Sequence, residues 1–308
     1  MNNPKVSVIV AAYNAEGYMV RCLDSIAMQT FQDWECIVVD DGSKDTTGAI
    51  ADEYAANDAR FRIIHKPNGG VASARQTGMD AAKGEYTIHM DSDDWADSEM
   101  LQDMYDAAIA NSADILICDY YETFPDREVY NTQRLDPADR VSVFGQMLNN
   151  LAGALWNKLI RRELYAQYGV RFNPEIRDEE DKLICLKFLS QDITVSYLGK
   201  AFYHYDHRAN QQSLTKKKYA IVPRMRILDE VAAICDLSPV RRYFDNAVFY
   251  IAYQGLYVTV KEERTYQDMF LKYWKSLLRS NFPLRSKLLV FLRLIGIRVP
   301  MRLIKKNK

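Results

Sequence analysis

Apolar runs of strand length alternate with helix-length segments along the N-terminal third of the chain. Segments rich in the residues of buried strands lie at 6–12, which is an apolar run, and at 35–39, 61–64 and 86–90. Segments with a helical period or with small helix-forming residues lie between them, at 18–28, 47–57 and 72–82. Strands and helices that alternate at this spacing predict βαβ units, and therefore an α/β fold whose mostly parallel sheet has helices on both faces.

The pattern changes in the rest of the chain. Residues 114–121 are predicted to form a strand, 141–151 a helix, 155–164 a strand with the start of a helix, and 193–202 an edge strand. After residue 216 the predicted elements are helices, at 220–235, 240–261 and 266–278. We therefore predict an α/β domain over residues 1–215 and a helical C-terminal extension over residues 216–308.

Polar side chains follow each of the four predicted parallel strands, at the point where the strand ends. They are Tyr13, then Asp40 and Asp41, then residues 68–70, and finally residues 91–94. The carboxyl ends of parallel strands meet at one edge of the sheet, which is where ligands bind in open α/β folds. Each segment alone could be a simple turn. Four of them at one edge predict a shared binding site.

The acidic cluster after the fourth strand suggests a metal site. Asp91 and Asp93 are two positions apart, so an extended backbone points both side chains to the same side. Crowded carboxylates repel one another unless a divalent cation lies among them, and Mg²⁺ or Mn²⁺ in such a site holds substrate phosphates. An alternative is an acidic turn in which Asp91 or Asp94 caps the next helix. Residues 11–17 contain neither a G-x-G-x-x-G motif nor a P-loop, which favours phosphate binding through a metal.

Composition and charge set further bounds. Of 308 residues, 48% are hydrophobic and 26% charged, as in soluble globular proteins, and the net charge of −1 gives no indication of nucleic-acid binding. Five cysteines without a C-x-x-C pair favour reduced thiols over a zinc site. The first strand begins at Val6, so we expect no cleaved signal, and no apolar run reaches membrane-spanning length. We therefore expect a cytoplasmic protein.

Several motifs, in order, resemble glycosyltransferase family 2. Residues 6–14 read Val-Ser-Val-Ile-Val-Ala-Ala-Tyr-Asn, 29–31 Gln-Thr-Phe, 38–45 Val-Val-Asp-Asp-Gly-Ser-Lys-Asp, and 84–94 Gly-Glu-Tyr-Thr-Ile-His-Met-Asp-Ser-Asp-Asp. That family has the GT-A fold, which is Rossmann-like, and inverts the anomeric configuration. The resemblance implies a nucleotide-diphospho-sugar donor, most often a UDP-sugar, with Mn²⁺ or Mg²⁺ as cofactor. It also implies nucleotide-sugar binding by residues 1–115 and an acceptor side formed by residues 116–215.

The same resemblance implies roles for individual residues. Tyr13 would stack on or line the base, and Asp41 would accept a hydrogen bond from the uracil imide. Asp93 would be the main metal ligand, and Asp91 would face the ribose and the metal. Arg75 lies in a stretch similar to the family's Ala-Arg-Asn-x-Gly and would place a cation near the diphosphate. The implied nucleotide-sugar-binding residues are Tyr13, Asp41, Arg75, Asp91 and Ser92.

A second acidic segment, residues 178–181, opens a predicted helix. Acids at a helix N-terminus are favourable electrostatically without any catalytic role. The resemblance, however, places the family's Glu-Asp motif on Glu180 and Asp181. It implies that Asp181 is the general base and Glu180 its supporting neighbour. Such a base takes the proton of an acceptor hydroxyl as the oxygen attacks the anomeric carbon.

Two further segments resemble family motifs. Residues 156–159, Trp-Asn-Lys-Leu, are similar to a motif of the polysaccharide- and capsule-making branch, and Trp156 could lie in the core or at the acceptor site. Residues 203–215 are similar to the family's Tyr-x-Tyr tail, which implies His207 or Arg208 near the diphosphate on a closing loop or lid. Together these motifs imply a hexosyl- or N-acetylhexosaminyltransferase that extends a surface polysaccharide or glycolipid.

The tail at residues 284–308 is apolar and basic and contains no acidic residue. Such a segment fits a helix that lies in the interface of an anionic membrane. The alternative is an ordinary helix docked on the domain, although such a helix would normally carry acids on its wet face. Membrane attachment predicts a peripheral protein on the cytoplasmic face and a lipid-linked saccharide as acceptor.

Other functions fit the sequence less well. A sugar nucleotidyltransferase would need a Gly-rich loop with Arg and Lys after the first strand, which residues 11–17 lack. A phosphatase with an Asp nucleophile would need its acids there too. A non-catalytic nucleotide-sugar-binding module could have lost Asp93 or Asp181, and both are present. We therefore expect an active, metal-dependent glycosyltransferase.

Overall fold

The computed structural model describes residues 3–136, 138–149, 151–176, 179–208, 221–234, 237–254, 263–295 and 297. The strands are β1 Val6–Ala12, β2 Trp34–Asp40, β3 Phe61–His65, β4 Tyr86–Asp91, β5 Trp95–Ala96, β6 Ile115–Thr123, β7 Glu128–Asn131, β8 Lys158–Arg161 and β9 Val195–Asp206. The helices are α1 Met19–Ala27, α2 Thr47–Asn57, α3 Val71–Ala81, α4 Met100–Ala110, α5 Arg140–Asn149, α6 Glu163–Gln167, α7 Glu180–Leu189, α8 Ile221–Ile234, α9 Arg241–Gln254, α10 Glu263–Lys272, α11 Trp274–Arg279 and α12 Leu284–Leu294.

The strands form one sheet in the order β3-β2-β1-β4-β8-β6-β9-β5, with β7 paired to β6. The first four strands are parallel, which confirms the predicted βαβ units. Strand β8 is antiparallel to both of its neighbours, and β9 is parallel to β6. In the register of β1, Ala12 pairs with Asp40 of β2 and Ala11 pairs with Asp91 of β4. The two predicted acidic strand ends therefore flank the end of β1 on either side.

Apolar side chains fill both faces of the sheet. On one face Ile9 packs with residues of α3, α5, α7 and α9, and on the other Val8 packs with residues of α1 and α4. Helix α3 lies especially close to β1, because a Cβ atom on Gly78 would be only 2.5 Å from the Cγ2 atom of Ile9. This close approach determines where α3 holds its polar side chains relative to the end of β1.

Two element predictions are wrong. The strand predicted at 193–202 as an edge is β9, which pairs with β6 on one side and, through His204, with Trp95 of β5 on the other. The two-residue strand β5 is too short to show a period in sequence. The helix predicted at 266–278 is interrupted at Tyr273, which has non-helical backbone angles and donates its buried hydroxyl to Asp229 of α8.

The C-terminal helices are packed onto the α/β domain. Helix α9 packs against α5 and α11, and α8 packs against α7. Phe244 and Phe249 of α9 lie in the same core cluster as Phe144 of α5. The predicted boundary at 215/216 lies outside the described residues. Among the helices that the structure does describe, none is both long enough and apolar enough to cross a membrane.

Candidate active site

The loops that follow β1 and β2 are bonded to each other at the predicted edge. The Asn14 side chain accepts a 2.9 Å hydrogen bond from the backbone N–H of Lys44, and the Asn14 N–H donates to the Ser43 hydroxyl at 3.0 Å. Asn14 has a φ of 49°, in the left-handed region that Asn tolerates. The preceding residue, Tyr13, is 47% exposed. Its ring therefore stands open beside two ordered loops, as a base-stacking residue would.

Asp41 connects two segments that the sequence analysis singled out separately. Its carboxylate is buried and accepts hydrogen bonds from the Lys66 ammonium at 2.5 Å and from the backbone N–H groups of Gly69 and Gly70 at 3.0 and 2.7 Å. Gly70 has a φ of 84°, which favours glycine. Asp41 thus orders the loop after β3 at the same edge as Tyr13, and its contact with uracil stays a prediction.

The acidic cluster does form a turn, but the alternative that Asp91 or Asp94 caps the next helix is wrong, and Asp94 is bound elsewhere. Its carboxylate is buried and accepts hydrogen bonds from the Tyr203 hydroxyl at 2.7 Å and from the backbone N–H of Asp206 at 2.8 Å. Burial, with further contributions from Asp91 and Asp93, raises the pKa of Asp94 well above its ordinary value. The next helix, α4, begins later, at Met100, without a side-chain cap. Asp94 therefore fastens the end of the acidic cluster to β9.

The other two acids of the cluster are partly exposed, and their oxygens suit a divalent cation. Asp91, Ser92 and Asp93 are all partly exposed, and their oxygens are hard donors of the kind that Mg²⁺ and Mn²⁺ prefer. Within the described residues, no three His, Cys, Asp or Glu side chains form a metal site by themselves. Mg²⁺ is commonly bound by one or two carboxylates together with substrate phosphates. Asp91 and Asp93 therefore fit an ion that a donor diphosphate completes.

Arg75 connects the acidic cluster after β4 to the acids of α7. One nitrogen of its guanidinium, Nη2, donates to Asp91 at 2.8 Å, and Nη1 donates to Glu180 at 2.6 Å and to Asp181. The side chain of Arg75 is only 6% exposed. Helix α3 can hold Arg75 there because Gly78, one turn later, allows the close approach to β1. Residues more than a hundred positions apart are thus brought into one site.

Asp181 has the properties of a base that acts near neutral pH. It lies in the first turn of α7, after Glu179, which has a φ of 58°. Burial raises the pKa of Asp181 to about 7, although Arg75 opposes this shift; Glu180 and Asp91 add to it, and a hydrogen bond from the Leu155 backbone lowers it. A general base is most effective when its pKa lies near the working pH.

The Trp-Asn-Lys-Leu motif shapes the loop that reaches Asp181. Lys158 is buried, and its ammonium donates to the Ala152 carbonyl at 2.8 Å, to the Ala154 carbonyl at 2.6 Å and to the Asn157 side chain at 2.7 Å. These bonds fix the loop that contains Leu155. Trp156 is buried and stacks on Tyr203 with a centroid distance of 4.5 Å. Its placement in the core is confirmed, and an acceptor contact stays a prediction.

Arg208 is linked to the acidic cluster at residues 91–94 through other side chains. Its guanidinium bonds to Asp206 at 2.9 Å, and Asp206 also pairs with Arg21 at 2.7 Å. Arg21 donates in turn to the carbonyl of Asp93 at 2.6 Å. Sequence reasoning missed Arg21, Asp206 and Tyr203. The alternating Tyr-x-Tyr-Asp pattern at 203–206 could have indicated Asp206, but no local signal indicates Arg21.

His207, the other diphosphate candidate, is held on the sheet. Its ring stacks on Phe124 with a centroid distance of 4.4 Å, and its Nε2 atom lies 3.5 Å from the Glu122 carboxylate. A diphosphate contact through His207 stays a prediction. The rest of the predicted lid, residues 209–215, lies outside the described residues.

The geometry agrees with three comparisons to known proteins. "Uncharacterized glycosyltransferase EpsJ" of Bacillus subtilis (strain 168) is 39% identical over 224 residues, 70% of this chain and 64% of EpsJ, so the chain spans less than two thirds of that relative. Residues 1–349 of S. aureus TarS, solved in complex with UDP-GlcNAc, share the fold with a TM-score of 0.73 and 24% identity, over 94% of this chain and 85% of TarS 1–349. The mannosyltransferase PcManGT of Pyrobaculum calidifontis, in complex with GDP-Man and Mn²⁺, has a TM-score of 0.57 at 14% identity, over 96% and 86%.

The structural likenesses confirm the predicted GT-A fold with its C-terminal helices. The model of the glycosyl transferase family 2 matches residues 7–169, more than half of the 308 residues. This match includes β1, the acidic cluster after β4, and Arg75. The protein belongs to glycosyltransferase family 2.

Proposed function

We propose that the protein is an inverting glycosyltransferase that moves a sugar from a nucleotide-diphospho-sugar to an acceptor hydroxyl. The observation that carries this proposal is the Arg75 bridge, in which one guanidinium holds Asp91 of the acidic cluster and Asp181 of α7. A transferase of this kind needs a donor site and a base within one substrate length of each other. The bridge supports the proposal because it joins the candidate donor site and the candidate base in a single contact network.

We propose a UDP-sugar as the donor. The exposed Tyr13 ring can stack on the base, and the partly exposed Ser92 lies beside Asp91 where a ribose would bind. TarS, which shares the fold, has been solved with UDP-GlcNAc. These observations favour a hexosyl or N-acetylhexosaminyl group as the transferred sugar.

Asp93 and Asp91 would hold Mn²⁺ or Mg²⁺ against the donor diphosphate. PcManGT, the more distant neighbour in fold, was solved with Mn²⁺. When bound, such an ion neutralises the charge that develops on the leaving diphosphate. Arg208 pairs with Asp206, which also pairs with Arg21 beside Asp93, so Arg208 could add to this neutralisation together with Arg75.

Asp181 would take the proton of the acceptor hydroxyl while that oxygen attacks the anomeric carbon and the diphosphate leaves. One displacement inverts the anomeric configuration, so no covalent intermediate and no second nucleophilic carboxylate are needed. Glu180 and Arg75 orient Asp181, because both are hydrogen-bonded within the same buried cluster.

We propose a saccharide or a lipid-linked saccharide as the acceptor, in the synthesis of a surface polysaccharide, and attachment of residues 284–308 to the cytoplasmic face of an anionic membrane. Helix α12 supports this location. It is docked through Leu289 and Val290, and yet it leaves Leu288 and Phe291 exposed. Lysine and arginine residues accompany this stripe, and the tail contains no acid.

Calorimetric binding of UDP, GDP and CDP, each with and without Mn²⁺, tests the proposal. We expect UDP to bind in a metal-dependent way and the other two to bind more weakly. Binding of GDP or CDP instead would overturn the donor. Absence of binding for all three nucleotides would contradict the glycosyltransferase proposal and favour a non-catalytic protein.

A further inference from the structure

A second exposed apolar stripe lies on α10 and α11. Leu271, Trp274 and Leu278 follow the spacing i, i+3, i+7 and are 45% to 53% exposed. The stripe on α12 consists of residues that are 43% to 83% exposed, namely Leu284, Leu288, Phe291 and Ile295. Large apolar side chains that recur at helical spacing on the wet side of two neighbouring helices indicate an interaction surface.

The two stripes meet where α11 and α12 touch. On α12 the four exposed residues fall within about 60° of one another around the helix axis, opposite the side that packs on α9 and α10. The ammonium of Lys287, in the first turn of α12, donates to the carbonyl of Leu278 in the last turn of α11 at 2.7 Å. This contact brings the end of one stripe to the start of the other.

The charges around both stripes are positive. No Asp or Glu follows Asp268 in the sequence, whereas eleven Lys or Arg residues do. Lys272 and Arg279 are neutralised by aspartates of α8 and α9. Among the residues that the structure describes, Lys275, Arg285 and Lys287 make no ion pair and remain available to an anionic partner.

We propose that these two stripes and their basic residues form one surface that lies on an anionic phospholipid membrane, with Trp274 as its interfacial anchor. We call it the C-terminal face; its residues are Leu271, Trp274, Lys275, Leu278, Leu284, Arg285, Lys287, Leu288, Phe291 and Ile295. Tryptophan is enriched at the boundary between lipid and water, and each Lys or Arg near an anionic surface adds attraction. The inference deepens the membrane attachment proposed above and places part of the contact outside residues 284–308.

The C-terminal face is part of the folded body. Helix α11 packs on α9, and α9 packs on α5 of the α/β domain. Attachment through this face would therefore fix the orientation of the candidate active site, at the carboxyl ends of the parallel strands, relative to the membrane. An attachment through the tail alone would act as a tether and leave the orientation free.

Co-sedimentation with vesicles tests the inference. Full-length protein is mixed with vesicles of equal parts phosphatidylglycerol and phosphatidylcholine, or of phosphatidylcholine alone. A variant with Leu271→Ser, Trp274→Ser and Leu278→Ser keeps residues 284–308 intact. We expect it to bind the anionic vesicles at least about tenfold more weakly than wild type, because membrane binding scales with buried apolar area. Ile109→Ser, at an exposed apolar position of α4, is the matched control and should bind like wild type.

Tryptophan fluorescence is a second test, which reports on the anchoring role of Trp274. Of the four tryptophans, Trp34 and Trp156 are buried, whereas Trp274 is exposed. We expect anionic vesicles to shift the emission to shorter wavelength, and Trp274→Phe to abolish most of this shift while vesicle binding persists. A shift that remains in the Trp274→Phe variant would contradict the anchoring role.

A variant of the tail separates this inference from the earlier proposal. If Leu284→Ser, Leu288→Ser, Phe291→Ser and Ile295→Ser together abolish vesicle binding but the α10–α11 variant binds normally, the C-terminal face is refuted and the tail proposal stands. Normal binding by both variants would refute both. Wild-type dimers that the α10–α11 variant fails to form would identify a protein interface and refute the membrane inference. UDP binding should persist in every variant, which excludes misfolding.

Discussion

Arg75 determines the electrostatics of the site at the scale of single residues. Its one positive charge is surrounded by the carboxylates of Asp91, Glu180 and Asp181, so the cluster retains negative charge when all three are ionised. Burial already favours a proton on Asp181, and the neighbouring acids add to this effect. The guanidinium is therefore what keeps Asp181 ionisable near neutral pH.

The effect of Arg75 on the pKa of Asp181 should be visible in the pH dependence of the reaction rate. The release of UDP from a UDP-sugar should increase with pH and reach half of its maximum near pH 7, because Asp181 must be ionised to accept a proton. Arg75→Gln removes the charge that lowers the pKa of Asp181, so the midpoint should move to higher pH. Arg75→Lys keeps the positive charge, so the midpoint of the pH–rate profile should move less than in the Gln variant. An unchanged midpoint in the Gln variant would show that Asp181 is not the titrating group.

Asp181→Asn should abolish transfer and leave UDP binding close to that of wild type. Its effect on stability follows from linkage. The pKa of Asp181 in the folded protein is about 7, above the ordinary value of 3.8, so the stabilising effect of its proton is complete below about pH 4 and is lost as pH rises through 7. The free energy of unfolding of wild type should therefore fall relative to that of the Asn variant between pH 4 and 8, which urea titrations at several pH values can measure. Parallel curves would contradict the raised pKa.

The residues that sequence analysis found are those whose signal is local. Asp91 and Asp93 directly follow an apolar run, and Glu180 and Asp181 open a helical period, so a short window shows each pair. The partner of Asp94 could not be found in this way, because the Tyr203 hydroxyl comes from a strand 109 positions later. Long-range hydrogen bonds carry no trace in the local sequence.

At the scale of elements, the contact of α3 with β1 should be sensitive to one methyl group. Alanine at position 78 would gain about 1 kcal/mol in helix propensity. Its Cβ would, however, lie 2.5 Å from the Cγ2 atom of the stiff, buried Ile9, and overpacking costs about 1 to 3 kcal/mol. We expect Gly78→Ala to lower the melting temperature and to reduce UDP release, because Arg75 moves with α3.

Gly17→Ala is the control for this change, since a Cβ atom there meets nothing within 4 Å. It should leave both the melting temperature and UDP release unchanged. Equal melting temperatures for the Gly78 and Gly17 variants would show that α3 can shift away from β1 without cost.

Elements whose hydrophobic pattern is visible in the local sequence were predicted correctly. Elements whose bounds or neighbours depend on contacts with distant residues were not. Strands β1 and β2 are rich in apolar residues and are buried on both faces of the sheet. Strand β9 was placed at an edge because β5, its partner on the outer side, has two residues and no period. The break between α10 and α11 depends on the bond of Tyr273 to α8, which is a tertiary contact.

At the scale of the whole molecule, the donor and its metal should stabilise the fold together. A ligand that binds only the folded state raises the melting temperature, and UDP with Mn²⁺ should do so more than either alone. Asp93→Ala should remove the added effect of Mn²⁺. Asp126→Ala, at a 72% exposed carboxylate, should retain it. A full response in the Asp93 variant would place the metal elsewhere.

The contacts between the end of β9 and the acidic cluster tie two distant parts of the sheet together. Asp206, at the end of β9, receives a salt bridge from Arg21, and its backbone N–H donates to Asp94. Arg21 also donates to the carbonyl of Asp93. A displacement of the end of β9 would therefore be transmitted to Asp93 and Asp94, although these residues lie more than a hundred positions earlier in the chain.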